Sequence, residues 1–223
     1  MIITIDGPAG AGKTSVSKTI ASQRKVPVLD TGAMYRVCAL VVLRAGADPY
    51  DADAVRALVP SMDVGITVMK NGVTAVTLDG ENVSGRIRSP EVDKAVTPVC
   101  QVPEVREAMV AAQRRFAEGS DLICEGRDMG SVVFPEADVK IWLDADPHER
   151  AIRRSLQSGH YTIEQAYEDI IRRDEADASR ELSPMTVPAG AHVVDTTGMS
   201  FFGVVEAINS IITNAMREEG QDA

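Results

Sequence analysis

Cysteine is scarce in this chain: Cys38, Cys100 and Cys124 are the only three in 223 residues, and no two share a CxxC spacing. An odd number of widely separated thiols excludes a disulfide framework and a structural zinc site, so reduced, semi-buried thiols are expected. Long apolar runs are absent too. None approaches the roughly 20 residues that a bilayer requires, and the opening MIITID carries no basic segment or cleavage pattern. No membrane association and a cytoplasmic location are therefore expected. Basic residues are outnumbered, 23 Lys and Arg against 33 Asp and Glu, for a net charge of −10. Gripping a nucleic-acid backbone needs a clustered excess of positive charge, so no nucleic-acid partner is expected. Repeats, low-complexity tracts and long linkers are also missing, apart from a polar tail from Glu218 onward. One main domain, residues 1–223, and a monomer are the expectation.

What is present is an alternation of short apolar runs with amphipathic stretches, the pattern of βαβ units, so the fold class is α/β with a parallel sheet flanked by helices. Ile2–Ile5, Val26–Leu29, Leu122–Cys124, Val139–Leu143 and His192–Val194 are apolar on both faces, as buried parallel strands are. All five fit one sheet. Helices are predicted over Lys13–Gln23, Ala33–Arg44, Pro103–Glu118, Pro147–Gln157, Ile163 to about Ala176 and Phe201–Arg217. Asp146 with Glu149, and Thr162 with Gln165, have the spacing of helix-opening capping boxes. One segment breaks the alternation. Residues 62–88 alternate apolar with other residues on either side of Asn71-Gly72 and Asp79-Gly80, which predicts a small antiparallel sheet inserted into the α/β frame.

The strongest motif is Gly7-Pro8-Ala9-Gly10-Ala11-Gly12-Lys13-Thr14, a full match to GxxxxGK[ST] between a predicted strand and a predicted helix. In such a loop successive backbone N–H groups point inward onto a polyphosphate, the Lys13 ammonium reaches its outer phosphates, and the Thr14 hydroxyl faces a magnesium ion. Switches, motors and kinases all use this loop. A GTP switch also needs an NKxD base-reading loop, which is absent. The DTTG at Asp195–Gly198 follows the last predicted strand and reads as a turn before the final helix. A motor needs more chain, which leaves a small-molecule kinase.

An acceptor hydroxyl would need a general base. A phosphate monoester would not: at a second pKa of about 6 it is already anionic at neutral pH. Such an acceptor needs donors that overcome the repulsion of two anions approaching in line, and the bidentate arginine fork is suited to that. Arg36 stands one turn into a predicted helix, and Arg127 lies just past a strand's carboxyl end, where parallel sheets present their ligand loops. Arg173, Asp177 and Arg180 share one helical stripe, provided the helix extends that far. A salt-bridged solvent face fits those three equally well.

The strings DGPAGAGKTS, DTGAMYR, VSGRIRSPEV, PEVREAM, GRDMGSVVFP, KIWLDA and RRDEADASR, in this order, resemble the bacterial-type cytidylate kinases from Ile2 to about Asp195. That resemblance implies transfer of the ATP γ-phosphoryl group to CMP and dCMP with Mg²⁺, a P-loop kinase fold, and a monophosphate-binding region over residues 31–100 that holds the inserted sheet. It implies a helical lid over residues 151–180, with Arg153 and Arg154 bringing charge to ATP. By the same resemblance, Arg36, Arg127, Arg173 and Arg180 hold the CMP phosphate and the transferred group. Tyr35 packs beside them, Asp177 accepts from a sugar hydroxyl, and Thr31 lines the monophosphate site. Thr97, Arg106 and Asp128 read the base. Cytosine presents an amino donor and two acceptors, so a carboxylate with an arginine and a hydroxyl complements it, whereas uracil would set a carbonyl against Asp128. Simpler roles fit some of these residues: Arg106 covering core surface with its stem, Thr97 before Pro98 as a turn or cap, Asp128 as a structural partner.

Overall fold

The computed structural model describes residues 1–69, 74–159 and 161–219. Strands are β1 (Ile2–Asp6), β2 (Val28–Asp30), β3 (Val64–Val68), β4 (Thr74–Leu78), β5 (Glu81–Asn82), β6 (Leu122–Glu125), β7 (Val139–Asp144) and β8 (His192–Asp195). Helices are α1 (Lys13–Arg24), α2 (Thr31–Arg44), α3 (Ala52–Leu58), α4 (Pro90–Gln101), α5 (Pro103–Ala117), α6 (Pro147–Ser158), α7 (Ile163–Ala178) and α8 (Phe201–Glu219). Five strands form one sheet in the order β2-β6-β1-β7-β8, and β3-β4-β5 form a separate sheet. This is the expected α/β architecture with its inserted antiparallel sheet. The predicted Asn71-Gly72 turn lies outside the described residues. No described helix is long and apolar enough to cross a membrane.

The chain divides into two compact units, one of Met1–Val26 with the chain from Asp121 on, the other of Pro27–Ser120. In the first, β1 pairs in parallel with β6 through Ile2↔Leu122 to Ile5↔Glu125, and with β7 through Ile3↔Val139 to Asp6↔Trp142. Strand β8 extends the sheet in parallel beyond β7. Ile3, Ile5, Ile123, Ile141 and Leu143 are fully buried, because a central parallel strand has no solvent face. The register also brings Asp6, Glu125 and Asp144 to the carboxyl ends of neighbouring strands, the edge where α/β sheets bind ligands. Asp146 caps α6 by accepting from the His148 and Glu149 N–H groups, and Thr162 and Gln165 form a reciprocal capping box on α7.

In the second unit α2 packs on α4, and α4 on α5. The Asp30 carboxylate accepts from Ala33 N at 2.8 Å, so α2 begins at Thr31, two residues before its predicted start. Strand β2 starts at Val28 where Val26 was expected, because Val26 N–H closes the end of α1 on Ala21 O and Pro27 has no N–H to give. Helices α3 and α4 were not expected. Ser89 caps α4 and Pro90 opens it, but Pro98 sits inside, where proline costs about 3 kcal/mol. Burial of Val92, Ala95, Val96, Val99 and Cys100 on one face offsets that cost. All three cysteines are buried, deeper than the semi-buried placement expected of them.

Candidate functional site

The loop Gly7–Thr14 leaves β1 and enters α1 with Gly7, Gly10 and Gly12 all at positive φ. Gly7 is held by more than conformation. A Cβ there would lie 2.0 Å from the Leu143 carbonyl oxygen of β7, so only glycine lets the loop run this close to the sheet. Lys13 is buried and folds its ammonium back onto the loop, donating to Gly7 O at 2.8 Å and Pro8 O at 2.7 Å. Burial, with the Arg127 guanidinium next, lowers the Lys13 pKa against the opposing pull of Glu125, Asp174 and Asp6.

The loop is gripped by α6 and α7. Ala9 N–H donates to Asp174 of α7 at 2.8 Å, and Arg150 of α6 donates to Ala9 O at 2.8 Å and to Asp174 at 2.5 Å. Both backbone polar groups of one loop residue are therefore satisfied by one ion pair. Arg150 also donates to Ala145 O at 3.0 Å, which fixes the start of its own helix.

Helix α7 carries carboxylates that collect arginines. Asp177 accepts from Arg127 Nε at 2.9 Å and pairs with Arg180. Asp169 pairs with Arg154 at 2.6 Å, Arg172 at 2.8 Å and Arg173 at 3.4 Å. The solvent-face alternative for Arg173, Asp177 and Arg180 does not hold. Arg173 and Asp177 are buried, and the Arg180 side chain is only 9% exposed. The helix ends at Ala178, so Arg180 reaches Asp177 from just beyond the end of α7. Burial works against the Arg127 charge, yet Asp177, Asp174 and Glu125 together raise its pKa above the ordinary guanidinium value. Of the predicted acceptor arginines in this unit, Arg127 and Arg180 thus meet on one carboxylate, and Arg173 pairs two turns earlier.

Arg153 donates to Thr196 O and Thr196 Oγ1, both at 2.8 Å, and pairs with Glu149, whose other oxygen accepts from Gly198 N at 2.8 Å. Arg153 therefore fastens α6 to the Asp195–Gly198 turn, which does precede the final helix as expected. Arg154 lies over the Tyr161 ring, 5.8 Å from its centroid.

Asp128 is buried at the head of a single π-turn, Met129–Val133, in which its carbonyl accepts from Val132 N and Val133 N. Such turns are rare and frequent at functional sites. Asp6, a residue sequence reasoning passed over, lies beneath this turn. It accepts from Met129 N at 2.8 Å and Gly130 N at 2.7 Å.

In the second unit Arg36 donates to Asp93 at 2.7 Å and to Gly32 O at 3.4 Å. Arg106 is 3% exposed with its guanidinium 5.4 Å from the centroid of the buried Tyr35 ring, so it is itself enclosed and does not merely drape its stem over the core. Thr31 is buried in the first turn of α2. Thr97 lies inside α4, which rules out the turn or cap role.

Sequence reasoning also missed Glu125, Arg150, Asp174 and Asp93. Only Asp174 had a signal, its place within RRDEADASR; the others owe their positions to pairings far apart in the chain.

A family model described as cytidylate kinase matches residues 3–214. The chain belongs to the cytidylate kinase family. It is 44% identical over 209 residues to the cytidylate kinase of Citrobacter koseri, which covers 92% of each chain. It is 40% identical over 223 residues to a bifunctional pantoate ligase/cytidylate kinase of Synechococcus sp. (strain WH7803), covering 98% of this chain and 46% of that protein. The chain thus spans about half the length of that relative. Among solved structures, a gluconokinase from Sinorhizobium meliloti 1021 shares the fold at TM-score 0.51 and 14% identity, covering 99% of this chain and 97% of that one. This cytidylate kinase family member therefore shares its frame with kinases of other acceptors, and what distinguishes it lies in the residues placed on that frame.

Proposed function

We propose that the protein transfers the γ-phosphoryl group of ATP to CMP and dCMP, as a cytoplasmic monomer acting on free nucleotides and binding neither nucleic acid nor membrane. The observation that carries this reading is the convergence of Arg127 and Arg180 on Asp177, with Arg127 near enough to Lys13 to depress its pKa. A cationic cluster at the end of a triphosphate loop suits an acceptor that is itself a phosphate ester. It needs no general base.

In this reading Gly7, Pro8, Ala9, Gly10, Ala11, Gly12, Lys13 and Thr14 hold the ATP phosphates, and Lys13 exchanges its two carbonyl partners for phosphate oxygens. Arg153 and Arg154 act on the ATP side from the lid, residues 151–180. Arg36, Arg127, Arg173 and Arg180 neutralise the ester and the transferred group, Tyr35 and Thr31 line the monophosphate site within residues 31–100, and Asp177 accepts from the sugar. Thr97, Arg106 and Asp128 read cytosine. Catalysis is alignment and charge stabilisation, with no covalent intermediate.

Magnesium fits this donor set. Among the described residues no group of three or more His, Cys, Asp or Glu is arranged to hold a metal ion, and a hard cation that keeps its waters and binds chiefly to phosphates needs only one hydroxyl, that of Thr14. Bound there, it would neutralise charge on the β- and γ-phosphates.

One coupled assay with Mg-ATP against CMP, dCMP, UMP, AMP and shikimate tests the reading. Turnover of the two cytidylates well above the rest is expected; equal turnover of UMP would remove the base-reading assignment, and turnover of shikimate alone would remove the acceptor class.

A further inference from the structure

Asp6 is fully buried at the carboxyl end of β1, and none of the roles above uses it. Its two carboxylate oxygens accept from two successive backbone N–H groups, Met129 and Gly130, 123 and 124 residues away. Those are the first N–H groups of the π-turn, donors that a helical turn leaves without partners of its own. Asp6 therefore caps the turn from a different strand, one oxygen to each donor. The fit beneath the turn is close: a Cβ on Gly130 would lie 2.8 Å from Thr4 Oγ1 and 3.1 Å from Pro188 Cγ. The residue immediately before the capped pair is Asp128, at φ −143° and ψ 21°.

We infer that Asp6 is a positioning residue for base recognition, fixing the π-turn so that the Asp128 carboxylate keeps the direction that separates an amino-bearing pyrimidine from a carbonyl-bearing one. This rests on the assignment of Asp128 as the base reader. Holding a carboxylate by two charge-assisted bonds is geometrically strict, and losing one of them releases the residue next to the reader. The groups facing Asp6 are Asp128 from the turn, Lys13 from the loop and Cys124 from the neighbouring strand. Burial raises the Asp6 pKa to about 6, and the two N–H bonds pull against it. Protonation near that pH leaves one strong acceptor where the turn needs two.

The test is the ratio of kcat/KM for CMP to that for UMP. Asp6→Asn keeps one acceptor and turns an amide donor toward an N–H, so the ratio is expected to fall about tenfold or more in a variant of unchanged circular dichroism. In the unaltered protein the same ratio is expected to fall between about pH 8 and about pH 5.5; titration of the acceptor phosphate, common to both substrates, cancels. A high native ratio that Asp128→Asn abolishes and Asp6→Asn preserves overturns this inference alone. A native ratio near unity overturns the base-reading assignment and this inference with it. Should Asp6→Asn fail to fold, the pH series on the native protein decides, and an unchanging ratio overturns the proposal.

Discussion

Asp6 makes an unusual prediction about stability. Its pKa is raised from 3.8 to about 6, chiefly because the buried carboxylate loses water, and the bonds from Gly130 and Met129 recover only part of that loss. A carboxyl group whose folded pKa lies above its unfolded value binds more protons folded than unfolded between the two. Its contribution to stability is therefore intact below the unfolded value and declines as pH rises through the folded one. A shift of about two units at ~1.4 kcal/mol each amounts to about 3 kcal/mol, of which about 2 kcal/mol falls between pH 4.5 and 8. The group is almost wholly buried, so solvent screening removes little of this.

The measurement is urea unfolding of the native protein and Asp6→Asn across that window, with the difference of the two free energies followed so that every other carboxylate cancels. The native protein should lose about 2 kcal/mol relative to the variant as pH rises. Discrimination of CMP from UMP should move the opposite way, improving as Asp6 ionises. A difference that is flat with pH, or that favours the native protein increasingly at high pH, would mean that the two backbone bonds outweigh burial and would refute the reasoning.

Other changes should be as specific. Gly7→Ala forces a Cβ to 2.0 Å from Leu143 O at φ +146°, so thermal unfolding should show a loss of several kcal/mol, about 3 or more, or no folded protein. Lys13→Ala should reduce turnover with every acceptor by at least about a hundredfold in steady-state assays, as loss of a transition-state charge contact does. Asp174→Asn breaks the ion pair with Arg150 and weakens the hold on Ala9; the KM for ATP should rise about tenfold, with a stability loss of about 3 kcal/mol for stranding a buried guanidinium. Asp128→Asn should reduce CMP preference by about tenfold to a hundredfold while ATP binding, followed by fluorescent-nucleotide titration, holds.

The frame was legible because its signals are local. The inner strands of the large sheet are short runs apolar on both faces, although the edge strand β8, expected to be the same, is largely exposed, and the phosphate loop is a contiguous string between a strand and a helix. Helix α4 escaped notice because Pro98 looks like a breaker, and only the buried face of Val92, Val96 and Val99 outweighs it. At the candidate site, a residue's type suggests a role where its chemistry is distinctive, as with Lys13, Arg127 and Asp128. A role was illegible where a residue acts through a partner remote in the chain. Nothing in ITIDGP announces that Asp6 caps a turn 123 residues on, and nothing in PHERAI announces that Arg150 reaches Ala9 across 141 residues. Such pairings arise from sheet order, which sets the ends of β1, β6 and β7 side by side.

The convergence on Asp177 follows from a general constraint on anion sites. Guanidinium groups gathered to stabilise a developing phosphoryl charge must be buried to be strong, yet burial without counter-charge is costly. Asp177 eases this by accepting from Arg127 and pairing with Arg180, so that one of the two positive charges is balanced and the cluster stays cationic. In the proposed reading an arriving ester competes with that carboxylate. Part of its binding energy would then go into exchanging one anion for another, which lowers its affinity. In the proposed reading Asp177 does not lose its role in the exchange, because a sugar hydroxyl supplies the hydrogen bond that the arginines withdraw. A nucleotide with a ribose presents that donor; inorganic phosphate does not. In that reading the carboxylate that pairs with the two arginines also favours a nucleoside monophosphate over a bare anion.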